Sequence, residues 1–278
     1  MRKAGFIGYG HMGSVLLNGL IEGRGLEPAE AIVSTRTMGS LDFLRLKYPE
    51  LEIAEDNASV ARESGLVFVC VGTGQVHAVL TEIRNELRED SHLVIISGGL
   101  EIASVEEAFK GAVTKIIPTL LAEVREGITL VCHNSRVLPG AAERLEAMLA
   151  KIGEVKVIAE RRFEIASDFT SCAPGLIAAI CDQLVRGGVK RGELSYEEAE
   201  AMLLGSMAGT AKLLRRNSEG FRELLSRVAT AGGATEGGAS ELERSLPEAF
   251  DRMFTAIEAR HEARKEATRR QFIRDRTS

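Results

Sequence analysis

Tryptophan is absent from this sequence, tyrosine occurs three times, and aromatic residues make up only 5% of the chain. So few flat side chains give no platform for stacking bases. The formal net charge of −5 also lacks the positive excess that a phosphate backbone requires, which argues against nucleic acid as a partner. The four cysteines, Cys70, Cys132, Cys172 and Cys181, form no CxxC pair and no cysteine–histidine metal spacing. They read as reduced, mostly buried thiols, and no metal is expected. Long hydrophobic runs are missing too. LVFVCV, at 66–71, has the length of a strand and falls far short of a bilayer span. With a strand pattern beginning at residue 3, no signal peptide is expected. The expectation is a cytoplasmic protein that does not enter the membrane.

What is present fits two domains. The chain has 278 residues, 45% of them apolar and 27% charged, an ordinary balance for a globular protein. Strand-like runs at 3–8, 31–34, 51–54, 66–71, 92–97, 114–117, 128–133 and 154–158 alternate with helical patterns such as 38–48, 75–86 and 138–151. Continuous apolar strands between helices predict an α/β domain over residues 1–160, a doubly wound parallel sheet covered on both faces. Beyond it the β-branched runs stop. Segments 174–190, 195–216, 218–229 and 239–272 carry apolar residues at helical spacing, which predicts an all-α domain over 161–278. In LSYEEAE, Ser195 with Glu198 three residues on marks a helix start. TAGGATEGGA, at 230–239, has four glycines and reads as a loop.

The first run ends in GFIGYGHMG, with Gly8, Gly10 and Gly13 at G-x-G-x-x-G spacing between a strand and a helix. Gly8 permits the tight turn, Gly10 clears the approach of a pyrophosphate, and Gly13 lets the helix pack on the strand. His11 and Met12 lie inside the turn. His11 either contacts a phosphate or ribose, or is a surface residue of the turn. The second strand ends in Ser34, Thr35 and Arg36, followed by Thr37, with no carboxylate for a ribose 2′-hydroxyl. Hydroxyls and a guanidinium suit a 2′-phosphate, so NADPH is expected rather than NADH. Pro118 and Thr119 follow a later strand and reach the region where the nicotinamide ring would lie.

GFIGYGHMG followed by VSTRT resembles pyrroline-5-carboxylate reductase, and the likeness runs patchily along nearly the whole chain. EDNASV resembles the family's Asp-Asn segment, which implies a cofactor contact for Asn57. VFVCVGTGQ stands at the family's fourth strand, implying Val71 and Gly72 as cofactor neighbours. KIIPTLLAEVREGITLV and SCAPGLIAAICDQLVRGGVKRGELS are similar to two further segments, and RVATAGGATEGG resembles the Ser-Pro-Gly-Gly-Thr-Thr loop. The family pairs an N-terminal Rossmann-type domain with an all-α C-terminal dimerisation domain, and its chains dimerise or form larger rings. The resemblance therefore implies a homodimer or higher homo-oligomer. The apolar AMLLGSMAGTAKLL (201–214) independently asks for a covering partner. The departures cluster. The family's Lys-Pro is Gly72-Thr73 here, its Asn-Thr-Pro is Thr119-Leu120-Leu121, and its Ser-Gly-Pro is Cys172-Ala173-Pro174. Ala231 replaces the loop proline.

The reaction implied is hydride transfer to a cyclic imine, 1-pyrroline-5-carboxylate giving proline. The loop supplies Thr230, Gly232, Gly233 and Ala234 for a small anionic substrate, with uncovered glycine amides as donors. The resemblance gives Thr235 the role of orienting the imine nitrogen or relaying a proton. The same loop also reads as a plain hinge between helices. Glu236 would either repel a substrate carboxylate or pair with an amine. Leu120 and Leu121 would make one wall of the pocket more apolar, and Cys172 reads as packing because no histidine partner is recognisable. The alternatives are reduction of a different imine, a hydroxyacid-dehydrogenase-like reaction on a carbonyl, and an NADP(H)-binding sensor without turnover.

Overall fold

The apolar runs form a sheet in this computed structural model, which describes residues 3–36 and 39–274, the side chains of 40, 41 and 271–274 excepted. Thr37 lies outside the described residues. The strands are β1 (Lys3–Ile7), β2 (Ala31–Ser34), β3 (Glu52–Ile53), β4 (Ser64–Val69), β5 (His92–Ile96), β6 (Ala112–Ile117), β7 (Gly127–His133) and β8 (Gly153–Val157). They lie in the order β3-β2-β1-β4-β5-β6-β7-β8. The helices among them are α1 (His11–Glu22), α2 (Gly39–Lys47), α3 (Asn57–Glu63), α4 (Val76–Ile83), α5 (Ile102–Ala108) and α6 (Pro139–Leu149). The order reverses direction between β1 and β4. That switch point opens a crevice at the carboxyl ends of the strands.

Alternation along the strands decides which helix covers which face. Phe6 and Phe68 point to one side, where Leu16 and Leu20 of α1 and Leu145 and Leu149 of α6 meet them. Their rings stack with centroids 4.7 Å apart across the paired register of β1 and β4. Ile7, Val67 and Val69 point to the other side, against Val79, Leu80 and Ile83 of α4 and Val105 of α5. Both faces are buried against apolar side chains around β1 and β4, as the continuous apolar runs require.

The sheet is not wholly parallel, because β7 runs antiparallel to β6 and parallel to β8. The link at 118–126 holds one 3-10 turn (Leu120–Val124) and no crossover helix, so the chain turns back on itself.

The chain divides into two compact units, one reaching Pro174 and resuming at His261, the other Gly175–Arg260. The expected boundary at residue 160 precedes α7 (Phe163–Thr170), whose Phe163 is buried with Ile117 and Leu130 in the sheet unit. The segment from His261 is bound there by ion pairs of Lys265 with Glu164 at 2.7 Å and Arg269 with Glu101 at 3.1 Å.

The other unit is built from α8 (Ala173–Val189), α9 (Tyr196–Asn217), α10 (Phe221–Val228) and most of α11 (Ala234–Arg274). Ser195 caps α9, its Oγ accepting from the Glu198 amide at 3.1 Å while the Ser195 amide donates to the Glu198 carboxylate at 2.9 Å. Among its described residues Val185 is the one buried hydrophobic side chain, whereas Ile177, Leu184, Met202, Leu204 and Phe221 are exposed. Helix α11 begins at Ala234, so 234–239 is helical and not loop as expected.

Candidate functional site

The crevice begins with the turn from β1 to α1. Gly8 has a φ of +99°, a conformation that side chains disfavour, and its amide donates to the Ser34 carbonyl at 2.8 Å. A Cβ on Gly13 would lie 2.4 Å from the Gly8 carbonyl oxygen, so close packing fixes glycine there. Gly10 obeys neither reason. Its φ of −83° and ψ of −163° suit any residue, and a Cβ on it meets no heavy atom within 4 Å. A side chain there would project into the open space before α1, so its absence leaves that space clear for a ligand. The first amides of α1 face that space, and their dipole favours an anion.

The crevice has two halves. One, of about 360 Å³, is bordered by Gly8, Gly10, Thr35, Arg36, Asn57 and Gly72. The other, of about 370 Å³, is bordered by His11, Met12, Thr73, Ser97 and Pro118. Gly10, Val71 and Gly72 border both, so together they form one elongated groove. In the first half Ser34 is buried and its hydroxyl donates to Asn57 Oδ1 at 2.7 Å. Ser34 therefore positions Asn57. Asn57 Nδ2 donates to Glu82 Oε2 at 2.8 Å. Arg36 is exposed and makes no ion pair among the described residues. A glycine turn at the start of α1, and a guanidinium at the end of β2 with no ion pair among the described residues, fit NADP(H).

In the second half Thr73 and Ser97 join their hydroxyls at 3.2 Å. Cys172 borders this half, where burial, with the Asp168 carboxylate close by, pushes its thiol pKa up. That suits packing better than nucleophilic chemistry. Leu120 and Leu121 do not form a wall of the groove; they are 43% and 39% exposed on the turn after β6. Thr119 turns its hydroxyl back to the Leu121 amide at 3.2 Å.

Thr230, Gly232, Gly233, Ala234 and Thr235 lie in the helical unit, at the loop that enters α11. The glycine amides there are not uncovered. The Gly232 amide donates to Glu236 Oε2 at 2.7 Å, and the Gly233 amide to the Thr230 carbonyl at 2.9 Å. Glu236 thus holds the loop from within. Among the described residues, the first-turn amides of α11 at Ala234, Thr235 and Glu236 are left over as donors, beside the exposed hydroxyls of Thr230 and Thr235.

Sequence reasoning passed over Gln75, Glu82 and Ser97 in the groove. Gln75 and Ser97 follow strand ends, and that position could have marked them. It also missed His261 and Arg264, which border the second half. Nothing local in a 41-residue helix signals them.

Residues 160–264 match the family model for pyrroline-5-carboxylate reductase dimerisation, and residues 3–98 match the model for NADP oxidoreductase coenzyme F420-dependent. Pyrroline-5-carboxylate reductase 3 of Bacillus subtilis (strain 168) is 32% identical over 255 residues, covering 91% of this chain and 93% of the relative. The chain belongs to the pyrroline-5-carboxylate reductase family. As a member of it, with an NADP oxidoreductase domain, it is an NADP-dependent oxidoreductase and carries the family's dimerisation domain. ComE operon protein 4 of the same organism is 24% identical, covering 97% of this chain and 99% of that protein. The crystal structure of Plasmodium falciparum pyrroline carboxylate reductase with NADP bound superposes with a TM-score of 0.83 at 24% identity. It covers 96% of this chain and 98% of that one, which shows the shared fold. Among the described residues, no helix is long and apolar enough to cross a membrane.

Proposed function

We propose that this protein reduces a cyclic imine with NADPH, most simply 1-pyrroline-5-carboxylate to proline. The observation that carries the reading is Gly10, a glycine without conformational or packing cause, at the mouth of a groove whose β2 end bears Arg36 and no carboxylate. When bound, NADPH supplies the hydride. The chain's own residues bind, orient and exclude water. The turn at Gly8, Gly10, His11, Met12 and Gly13 holds the pyrophosphate on the amides of α1. Thr35 and Arg36 hold the 2′-phosphate, and Ser34 steadies Asn57 beside them. Val71, Gly72 and Pro118 line the path of the ring.

For the substrate, the amides of Ala234 and Thr235 receive the carboxylate at the start of α11, with the Thr230 hydroxyl beside them. Gly232, with a φ of +72°, and Gly233 shape that entry. Thr235 orients the imine nitrogen. A homodimer would cover the exposed apolar side chains of the helical unit. The proposed domain limits are 1–160 for the cofactor and 161–278 for substrate and assembly, although α7 and the segment from His261 pack in the sheet unit. A second reading, an NADP(H)-binding protein without turnover, draws on Thr119, whose hydroxyl is spent on its own turn. The test is Thr235→Ala beside Gly233→Val. Both should keep NADPH binding, measured by fluorescence, and lose proline formation from pyrroline-5-carboxylate, measured by chromatography. Undiminished proline formation in both variants would refute the substrate site.

A further inference from the structure

The inner half of the groove carries a pair that cofactor binding leaves unexplained. Helix α7 places Asp168, and the tail of α11 places His261 with Nε2 2.8 Å from Asp168 Oδ1. Their side chains are 2% and 12% exposed. A carboxylate on one ring nitrogen fixes the imidazole: Nε2–H donates to Asp168, and Nδ1 is left for another partner. Nδ1 has no partner among the described residues, and His261 borders the same half as Met12, Gly72, Ser97 and Pro118. That is where the carboxyl ends of β1, β4, β5 and β6 converge.

We propose that His261, oriented by Asp168, donates the proton to the substrate nitrogen. The proposal rests on the imine-reductase reading. Hydride addition forms a C–H bond at the imine carbon, and the C=N π pair moves onto nitrogen. An imine that enters unprotonated must gain a proton there. The Nδ1–H bond of the His261 imidazolium breaks, an N–H bond forms on the product, and neutral His261 keeps its Nε2–H on Asp168. Solvent then restores the proton. Asp168 is a positioning residue and does not touch the substrate.

The groups facing His261 leave it this role. Asp168 of α7 touches it, His11 of α1 and Arg264 of α11 border the same half of the groove, and the Glu164–Lys265 ion pair lies one turn along α7 and α11. Arg264 has no ion-pair partner among the described residues and cannot give up its proton near neutral pH. The Cys70 and Cys172 thiols are both pushed up by burial and are poor donors. His11 is exposed at the rim.

The test uses the full-length protein with two substrates, pyrroline-5-carboxylate and a cyclic N-methyl iminium, which carries its positive charge permanently and needs no proton. His261→Gln should lower kcat on the imine about a hundredfold, erase one limb of its pH profile, and leave kcat on the N-methyl iminium at the wild-type value. Asp168→Asn should displace that limb, and NADPH affinity should stay unchanged in both. Independently of turnover, nitrogen NMR of the cofactor-free protein should show neutral His261 protonated at Nε2 and lose that preference in Asp168→Asn. If Asp168→Asn does not fold, His261→Asn replaces it in the kinetic arm. An unchanged pH profile in His261→Gln, or an equal loss on both substrates, would overturn the assignment of His261 alone. A wild-type protein inert on both substrates would overturn the imine reading and this proposal together.

Discussion

Replacing Gly10 and Gly13 separately should pull cofactor binding apart from stability. In Gly13→Ala the new methyl would sit 2.4 Å from the Gly8 carbonyl oxygen and 3.1 Å from Cys70 Cβ. A backbone oxygen cannot rotate aside, so the turn must shift, at a cost of about 1–3 kcal/mol. Better helix propensity returns about 1 kcal/mol at most. For a chain of this size each 1 kcal/mol moves Tm by about 2–4 °C. Gly10→Ser meets no atom within 4 Å, and residue 10 is the N-cap of α1, a position serine favours. Its stability should match or slightly exceed the wild type. Its side chain, however, fills the approach to the α1 amides and competes for them. NADPH affinity should fall at least tenfold, or about 1.4 kcal/mol. Thermal unfolding without cofactor and NADPH fluorescence titration read the two effects. Gly10→Ser that binds NADPH like the wild type, or loses as much stability as Gly13→Ala, would refute the account of the turn.

Three further outcomes follow from other parts of the molecule. Arg36→Ala should weaken NADPH at least tenfold while leaving NADH affinity unchanged, and equal losses for both in a binding titration would contradict the 2′-phosphate role. Glu160 accepts from buried Lys115 at 3.2 Å, so Glu160→Ala strands a cation and should cost about 3 kcal/mol in chemical unfolding, whereas a near-zero cost would show Lys115 finds water. Burial, with His133 and Arg144 adding positive charge nearby, lowers the His92 pKa from 6.5 to about 4. The unfolded chain takes up that proton at the higher pH, so the stability His92 contributes is full above 6.5 and is lost as pH falls to about 4, some 3 kcal/mol in all. His92→Gln should lack this part of the pH dependence in urea unfolding, and an identical pH profile in both proteins would contradict it.

The cofactor turn was legible because its chemistry is local. Gly8 and Gly13 answer demands of conformation and packing that the spacing already signals, and the flanking apolar run supplies the strand that makes the spacing meaningful. The Ser195–Glu198 capping box was legible for the same reason. The direction of β7 was not, because orientation depends on what joins two strands, and the short 118–126 link carries no periodicity to read. The extent of the 230–239 loop was misjudged through its glycines. Gly237 and Gly238 sit inside α11, whose start is fixed by Glu236 reaching back to the Gly232 amide. His261 and Asp168 are 93 residues apart, and no local pattern links residues at that distance.

The most direct test of the central claim is the rate of NADPH oxidation, followed by absorbance, with pyrroline-5-carboxylate as substrate and repeated with NADH. The account predicts turnover with proline as product and a kcat/KM clearly higher for NADPH. Tight NADPH binding with no oxidation on this substrate, or a preference for NADH, would contradict it.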